Sequence, residues 1–443
     1  MLDKEKMFSS LKSYRWPMYI VVCIAYMLTP FHRMAPAIMG PELIKDLCLN
    51  AVDFGLLGMS FVWAFALAQA PIGALLDKFG ARSGTTIVLI MTAIGSLIFC
   101  WAESLFLVII GRIVIAIALA GFLIGGAKII AEWYTTKEYP TMWGLFMGLG
   151  TIGGIGATTP LQFMMESCGW RYSFVIIAVI SLAVAGLAYM LLKNHPTDIG
   201  LLPADELADE AVIKVQSEVQ QINWKKSFKE MVSMPKIWAS GFLALGVNSS
   251  GQVLASLWGG VYLADVYNLP KQVIGDILLW SALGMVFGCV ASGWFIRKIK
   301  ISGVLVIGTV VFLAIWLYMV INIRTLSVMD LKVSLGILGF VQMFVISANF
   351  TLIKELVSSS QLGTAMGVVN GFTWIFGAGL FQQIWGIIIN YISKGIKPYP
   401  VDAFQVAMWI QVVVLVISVA CAFYFAKILG KPVESLKKQV SEI

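Results

Sequence analysis

The sequence predicts an all-α membrane protein, twelve spans arranged as two six-helix bundles. Three observations carry that reading. Of the 443 residues, 59% are hydrophobic and 12% charged, against roughly a quarter charged in an ordinary soluble domain. A bilayer core of about 30 Å needs roughly 20 apolar residues per helix, and nearly charge-free runs of that length recur twelve times. Each run is continuously apolar, whereas a membrane barrel shows short alternating segments.

In order, the first six spans fall at 17–39, 54–76, 84–101, 105–131, 143–165 and 172–192. Charges bracket them: Arg15 precedes the first, Asp53 and Asp77 flank the second, and Arg82 and Glu103 flank the third. A long polar stretch, 193–236, holds Asp205, Glu206, Asp209 and Glu210 followed by Lys225, Lys226 and Lys229. The second six spans follow at 237–263, 277–296, 301–323, 333–353, 366–391 and 404–426. The chain is thus divided into a tail (1–16), an N-terminal bundle (17–192), a linker (193–236), a C-terminal bundle (237–426) and a second tail (427–443).

Orientation follows from lysine and arginine placement, because short cytoplasmic loops collect them. With the N-terminus inside, 21 of the 31 fall on the cytoplasmic side and 7 on the other. Both termini are therefore expected in the cytoplasm of a bacterial-type inner membrane. The net charge of +7 is largely this asymmetry, so nucleic-acid binding, which wants basic residues clustered on a soluble module, is not expected. The first apolar run has span length and no small-residue cleavage site, so it is expected to stay as the first helix. Six dispersed cysteines form no metal-ligand or disulfide spacing. With no catalytic triad or phosphate loop, and with His195 alone in the linker, neither an enzyme nor a cofactor is expected. A sensor wants a sizeable output domain, and the longest polar segment is the linker.

The halves repeat weakly. After the second span the chain reads Gly73-Ala-Leu-Leu-Asp77-Lys78-Phe-Gly80-Ala-Arg82, and 220 residues on comes Gly293-Trp-Phe-Ile-Arg297-Lys298. Parallel repeats of this kind build many secondary transporters. The first string, with its degenerate copy, resembles the signature loop of the major facilitator superfamily. Gly111-Arg112, the glycine run Gly148, Gly150, Gly153, Gly154 and Gly156 with Pro160, and Gly169-Trp170-Arg171 support the resemblance, which covers nearly the whole chain. Arg33, Arg112 and Gly169-Trp170-Arg171 are most similar to the organic-anion branches, the anion:cation symporters and the oxalate/formate antiporters.

In the signature loop, Gly73 and Gly80 allow close approach and a tight turn. Asp77 would pair with Arg82 or cap a neighbouring helix. Gly73, Asp77, Lys78, Gly80 and Arg82 are thus the candidate conformational latch, against a simple solvated turn.

Ten spans carry no formal charge; the first holds His32 and Arg33, and the fourth holds Arg112 and Lys128. Ionisable groups inside a membrane are costly and mark pathways. The resemblance implies a cavity lined by spans one, four, seven and ten, two of which hold these charges. All the fixed charges are positive, and arginine offers a planar fork for carboxylate or phosphate. A small organic anion is therefore the expected solute, moved by alternating access through a chain expected to be monomeric. An exporter of a larger metabolite, siderophore or drug is the alternative.

The seventh and tenth spans add Asn248, Ser249, Ser250, Gln252, Ser256, Gln342, Ser347 and Asn349. These either orient the solute or bond between helices. Gly246 and Gly251 admit local unwinding of the seventh span. Trp258, Trp374 and Phe372 are candidate cavity walls. The resemblance implies carboxylates where this chain has His32 and Leu119, so carboxylate-based proton symport is put in doubt. That leaves His32 as the proton carrier, a protonated solute, or exchange of anions.

Overall fold

The computed structural model describes residues 2–135, 137–207, 224–357 and 361–429. All the regular structure among them is helical. Ten helical stretches are long and apolar enough to cross a membrane. One of them, Thr141–Leu191, has 51 residues and turns at Gly169 (φ 77°, ψ 165°), so it serves two spans. The seventh span is an additional, divided one, Pro235–Val253, Leu254–Trp258 and Gly259–Tyr267.

Helix Leu2–Asp46 carries the first span and contains Pro17, Pro30, Pro36 and Pro41. A proline has no N–H, so the carbonyl four residues earlier loses its helical partner. Tyr26, His32 and Ala37 are left with such carbonyls inside the apolar stretch, and each must be satisfied from another element. Ala51–Cys100 holds spans two and three, opened by a capping box between Asn50 and Asp53. It breaks at Gly80 (φ 77°, ψ 168°). Leu105–Trp133 is the fourth span. The fifth, expected as one run, is interrupted between Tyr139–Gly156 and Thr159–Leu191; Pro160 opens the second piece, where a proline costs no helical hydrogen bond.

Lys271–Ile321 holds spans eight and nine and breaks at Lys300 (φ 63°, ψ 161°). Lys300 lies 220 residues after Gly80 and repeats its backbone conformation, so the turn recurs in both halves although the glycine does not. That region of backbone space is essentially reserved for glycine and costs other residues roughly 1–3 kcal/mol. Lys300→Gly is expected to raise the melting temperature, by about 1 kcal/mol of stability after glycine's extra unfolded-state entropy. A thermal melt of the detergent-solubilised variant that is unchanged or lower would contradict this.

Val328–Leu356 forms the tenth span, opened by a Ser327/Asp330 capping box. Leu362–Phe372, Thr373–Gly379 and Leu380–Ser393 make the eleventh, and Val401–Leu429 the twelfth. The middle pieces of spans seven and eleven, Leu254–Trp258 and Thr373–Gly379, are wide π-turns, which occur often at functional sites. Gly246 and Gly251 therefore do not unwind the seventh span: the helix runs unbroken through both. They serve close packing instead. A Cβ at Gly246 would lie 2.1 Å from Ser418 Oγ, and one at Gly251 2.2 Å from Gln342 Oε1.

The chain forms two compact units. The first comprises Met1–Gln221, Leu254–Leu279 and Gln382–Tyr391, and the second Ile222–Val253, Trp280–Phe381 and Ile392–Ile443. Arginines tie helix ends together in the first. Arg15 grips Glu138 with two hydrogen bonds of 2.8 and 2.9 Å and lies over the Tyr134 ring. Partial burial works against the Glu138 charge, but those bonds and the Thr135 amide outweigh it and hold the carboxyl below its ordinary range. Arg171 donates to the Cys100 and Ala102 carbonyls at 2.7 and 2.8 Å, closing the end of the third span. Its neighbour Trp170 donates to Asp46 at 2.8 Å. Gly169-Trp170-Arg171 is thus a structural bracket between the ends of spans one, three and six. In the second unit, spans eight and ten meet backbone to backbone: a Cβ at Gly284 would lie 2.1 Å from the Gly336 carbonyl oxygen.

Candidate functional site

The arginine expected in the fourth span answers a problem created in the first. Pro36 deprives the His32 carbonyl of its helical N–H, and Arg112 Nη1 donates to that oxygen at 2.7 Å. The guanidinium lies over the Phe61 ring, 4.0 Å from its centre, and the residue is 2% exposed. A cation over an aromatic face is favourable, more so when desolvated. Nε has no acceptor, and no carboxylate pairs with Arg112 among the described residues. One carbonyl bond and one ring leave a buried charge poorly balanced.

Arg33 is one residue further along and points elsewhere, since successive helical residues diverge by about 100°. It is partly exposed and lies beside Tyr26, two turns earlier on the same face. His32 turns into the packed interior of the first unit. It is 0% exposed, its ring stands edge-on between Phe31 and Phe174 at 5.6 Å from each, and neither ring nitrogen has a hydrogen-bond partner.

The fifth-span glycines form the floor on which this part of the first span lies. A Cβ at Gly150 would sit 2.0 Å from the Tyr26 ring, and one at Gly153 1.9 Å from the Met27 carbonyl oxygen. The glycine run is a packing surface that brings spans one and five together at the arginines. Lys128 is partly buried on the fourth span. Sixteen residues from Arg112, it stands about 24 Å away along the helix, too far for both to hold one small solute.

In the second unit the neutral polar residues largely spend their groups on each other. Gln342 Nε2 donates to Asn248 Oδ1 at 3.2 Å. Ser240 Oγ donates to Asn349 Oδ1 at 3.0 Å, and Asn349 returns a bond of 3.4 Å to the Ser240 carbonyl. Ser249 and Ser250 donate to Gln411 on the twelfth span at 3.1 and 3.2 Å. These are interhelical bonds in apolar surroundings, and all seven residues are buried. Gln252 is 1% exposed. Asn248 Nδ2 and Gln342 Oε1 remain without partners.

Trp258 belongs to the first unit and is fully buried; it donates to the Gln382 carbonyl at 3.0 Å and packs edge-on against Phe54. Trp374, within the eleventh-span π-turn, is partly exposed and donates to Asn370 Oδ1 at 3.0 Å. Phe372 packs on Trp238 and Phe242.

At the candidate latch, Arg82 is held by the sixth span. Its amide donates to Asn194 Oδ1 at 2.9 Å, its Nε to the Tyr189 carbonyl at 2.8 Å, and its guanidinium covers the Tyr189 ring. A Cβ at Gly80 would strike the Asn194 carboxamide at 2.6 Å. Lys78 is exposed, and Gly73 faces Ile124. The Asp77 side chain lies outside the described residues. Asn194 and Tyr189 were not singled out by sequence reasoning, because nothing local to the linker start marks them as partners of a loop more than a hundred residues earlier.

Residues 22–382 match the family model described as Major Facilitator Superfamily. The chain belongs to the Major Facilitator Superfamily. It is accordingly a multi-pass membrane transporter and not an enzyme. The probable galactarate/D-glucarate transporter of Escherichia coli K12 is 26% identical over 307 residues, covering 63% of this chain and 68% of that protein. The hexuronate transporter of the same organism is 21% identical over 400 residues, covering 86% and 89%. Among solved structures, a bacterial homologue of the human lysosomal transporter Spinster, inward-facing and occupied, superposes with a TM-score of 0.76 at 19% identity, covering 94% of this chain and 97% of that one. That likeness establishes the major facilitator fold.

Proposed function

We propose that the chain is a secondary transporter of small organic anions, with polyhydroxylated sugar acids as the first substrate class. The observation that carries this reading is Arg112, buried and bonded to the carbonyl of His32, the residue before Arg33, in a set of spans without any Asp or Glu. A carboxylate arriving there supplies the missing countercharge, and the planar fork of an arginine suits its two oxygens. Sugar acids come forward because relatives are named as galactarate/D-glucarate, L-galactonate and hexuronate transporters.

For coupling, the reading is exchange of one anion for another. No span carboxylate is present to carry a proton, and His32, packed edge-on between Phe31 and Phe174, has no hydrogen-bond partner at either ring nitrogen to take or pass one. The test is uptake of labelled glucarate, galactarate and galacturonate by proteoliposomes, either empty or preloaded with unlabelled anion. Preloading is expected to raise the rate at least tenfold with no response to a proton gradient. Gradient-driven uptake into empty vesicles would replace exchange with proton coupling, and no movement of any sugar acid would remove the substrate class.

A further inference from the structure

The linker ends in helix Trp224–Ser233, of sequence WKKSFKEMVS. At about 100° per residue, Trp224, Phe228, Met231 and Val232 share one face, and Lys225, Lys226 and Lys229 share the adjoining one. Glu230 is the helix's single acid, and Gln361 Nε2 donates to it at 2.8 Å. The helix is fixed in place by its C-terminal turn. Met231 is fully buried in a cluster with Ile237, Ile353, Ala365 and Val369, and Trp238 Nε1 donates to the Val232 carbonyl at 2.6 Å.

That cluster sets the depth. Ile237 stands in the first turn of the seventh span, Ile353 in the last turn of the tenth, and Ala365 in the first turn of the eleventh. The helix therefore lies where apolar spans give way to polar loops, at the height of lipid headgroups. Its outward side pairs an apolar ring with a cation: Phe228 is 50% exposed, and Lys229 beside it is exposed. An amphipathic helix with an aromatic on the apolar face and lysines on the polar one is built to lie in a membrane interface. With one acid, Glu230, against three lysines, the helix carries net positive charge that anionic headgroups complement.

We infer that helix Trp224–Ser233 is a docking surface for the anionic leaflet on the linker side, Phe228 entering the headgroup layer and Lys225, Lys226 and Lys229 binding lipid phosphates. The effect on the protein is to pin the start of the second bundle to the membrane surface, so the end of the linker next to the seventh span is held by lipid composition.

The test uses the full-length protein in nanodiscs of phosphatidylcholine alone or mixed with phosphatidylglycerol, with hydrogen exchange read at the amides of 224–233. Each lysine near an anionic surface is expected to slow exchange about fivefold, so the mixed lipid should slow it by one to two orders of magnitude. Salt at about 1 M, where the Debye length shrinks to roughly 3 Å, should reverse the slowing. Replacing the three lysines by glutamine should abolish the lipid dependence, and replacing them by arginine should preserve it. Equal exchange in both lipids overturns the inference. So does slowing that the glutamine variant retains, which would place the protection in packing against the bundle.

Discussion

Arg33→Ala and Arg112→Ala are both expected to reduce sugar-acid uptake by about tenfold to a hundredfold, and for different physical reasons. Arg33 is partly exposed and sits on the Tyr26 face of the first span, so its loss removes a charge-assisted contact to solute worth roughly 1.5–3 kcal/mol. Basal melting temperature should barely change, while the upward shift caused by added glucarate disappears. Arg112 has a second role. Its removal strands the His32 carbonyl that Pro36 has already deprived of a partner, and it empties the space over Phe61. A buried unsatisfied acceptor costs roughly 1–3 kcal/mol, so Arg112→Ala should lower the basal melting temperature as well as abolish the ligand shift. Arg112→Lys should recover part of the stability but little transport, because a single ammonium cannot cap the carbonyl and present a fork together. Near-normal uptake by either alanine variant would take that residue out of the site, and near-normal uptake by both would sink the anion reading.

The sequence made some of this legible and hid the rest for identifiable reasons. Span positions follow from long apolar runs, which survive any arrangement of helices. Pro36 and Arg112 were both visible, yet nothing in a linear pattern says that a guanidinium 80 residues away caps the carbonyl a proline exposes. His32 and Arg33 looked like one charged pair; a helix sends neighbours to different environments, and only packing against Phe174 shows which one turns inward. The irregularity in the seventh span was legible in kind but not in place. Gly246 and Gly251 marked it for unwinding, but they are spent on close contacts with Ser418 and Gln342, and the π-turn comes three residues after Gly251 at Leu254–Trp258. Gln411 escaped notice because a lone glutamine in the twelfth span carries no local signal, although it receives both Ser249 and Ser250. The 220-residue repeat marked Gly293 to Lys298 as a copy of the first loop, but not the backbone turn at Lys300, because no glycine stands there to signal it.

Gly260→Ala is expected to disable transport without disturbing either arginine. The first unit holds a seam in which pieces of the seventh and eleventh spans lie on the first two. A Cβ at Gly260 would fall 1.8 Å from the Ala37 carbonyl oxygen, which Pro41 leaves without a helical partner; one at Gly386 would fall 2.4 Å from the Ala51 oxygen. Gln382 fills the notch at Gly58 and donates to Ser256 Oγ at 2.7 Å. Glu42 and Lys271 pair at its edge. Backbone cannot yield as a flexible side chain does, so even one methyl group forces the seam apart, at roughly 1–3 kcal/mol. A transporter that alternates access must close each side in turn, and a cost of that size shifts the closed population by about fivefold to 150-fold. Disulfide formation between Glu42→Cys and Lys271→Cys, in a chain whose six native cysteines are serine, reads the closure directly. It should be rapid in the parent and at least fivefold slower with Gly260→Ala, and uptake should fall in proportion. Gly144→Ala, at a glycine with nothing within 4 Å of the added carbon, should change neither. If Gly260→Ala cross-links and transports like the parent, the seam is permanent packing and closure of the transporter occurs elsewhere; if it cross-links slowly yet transports normally, closing this seam does not limit the cycle.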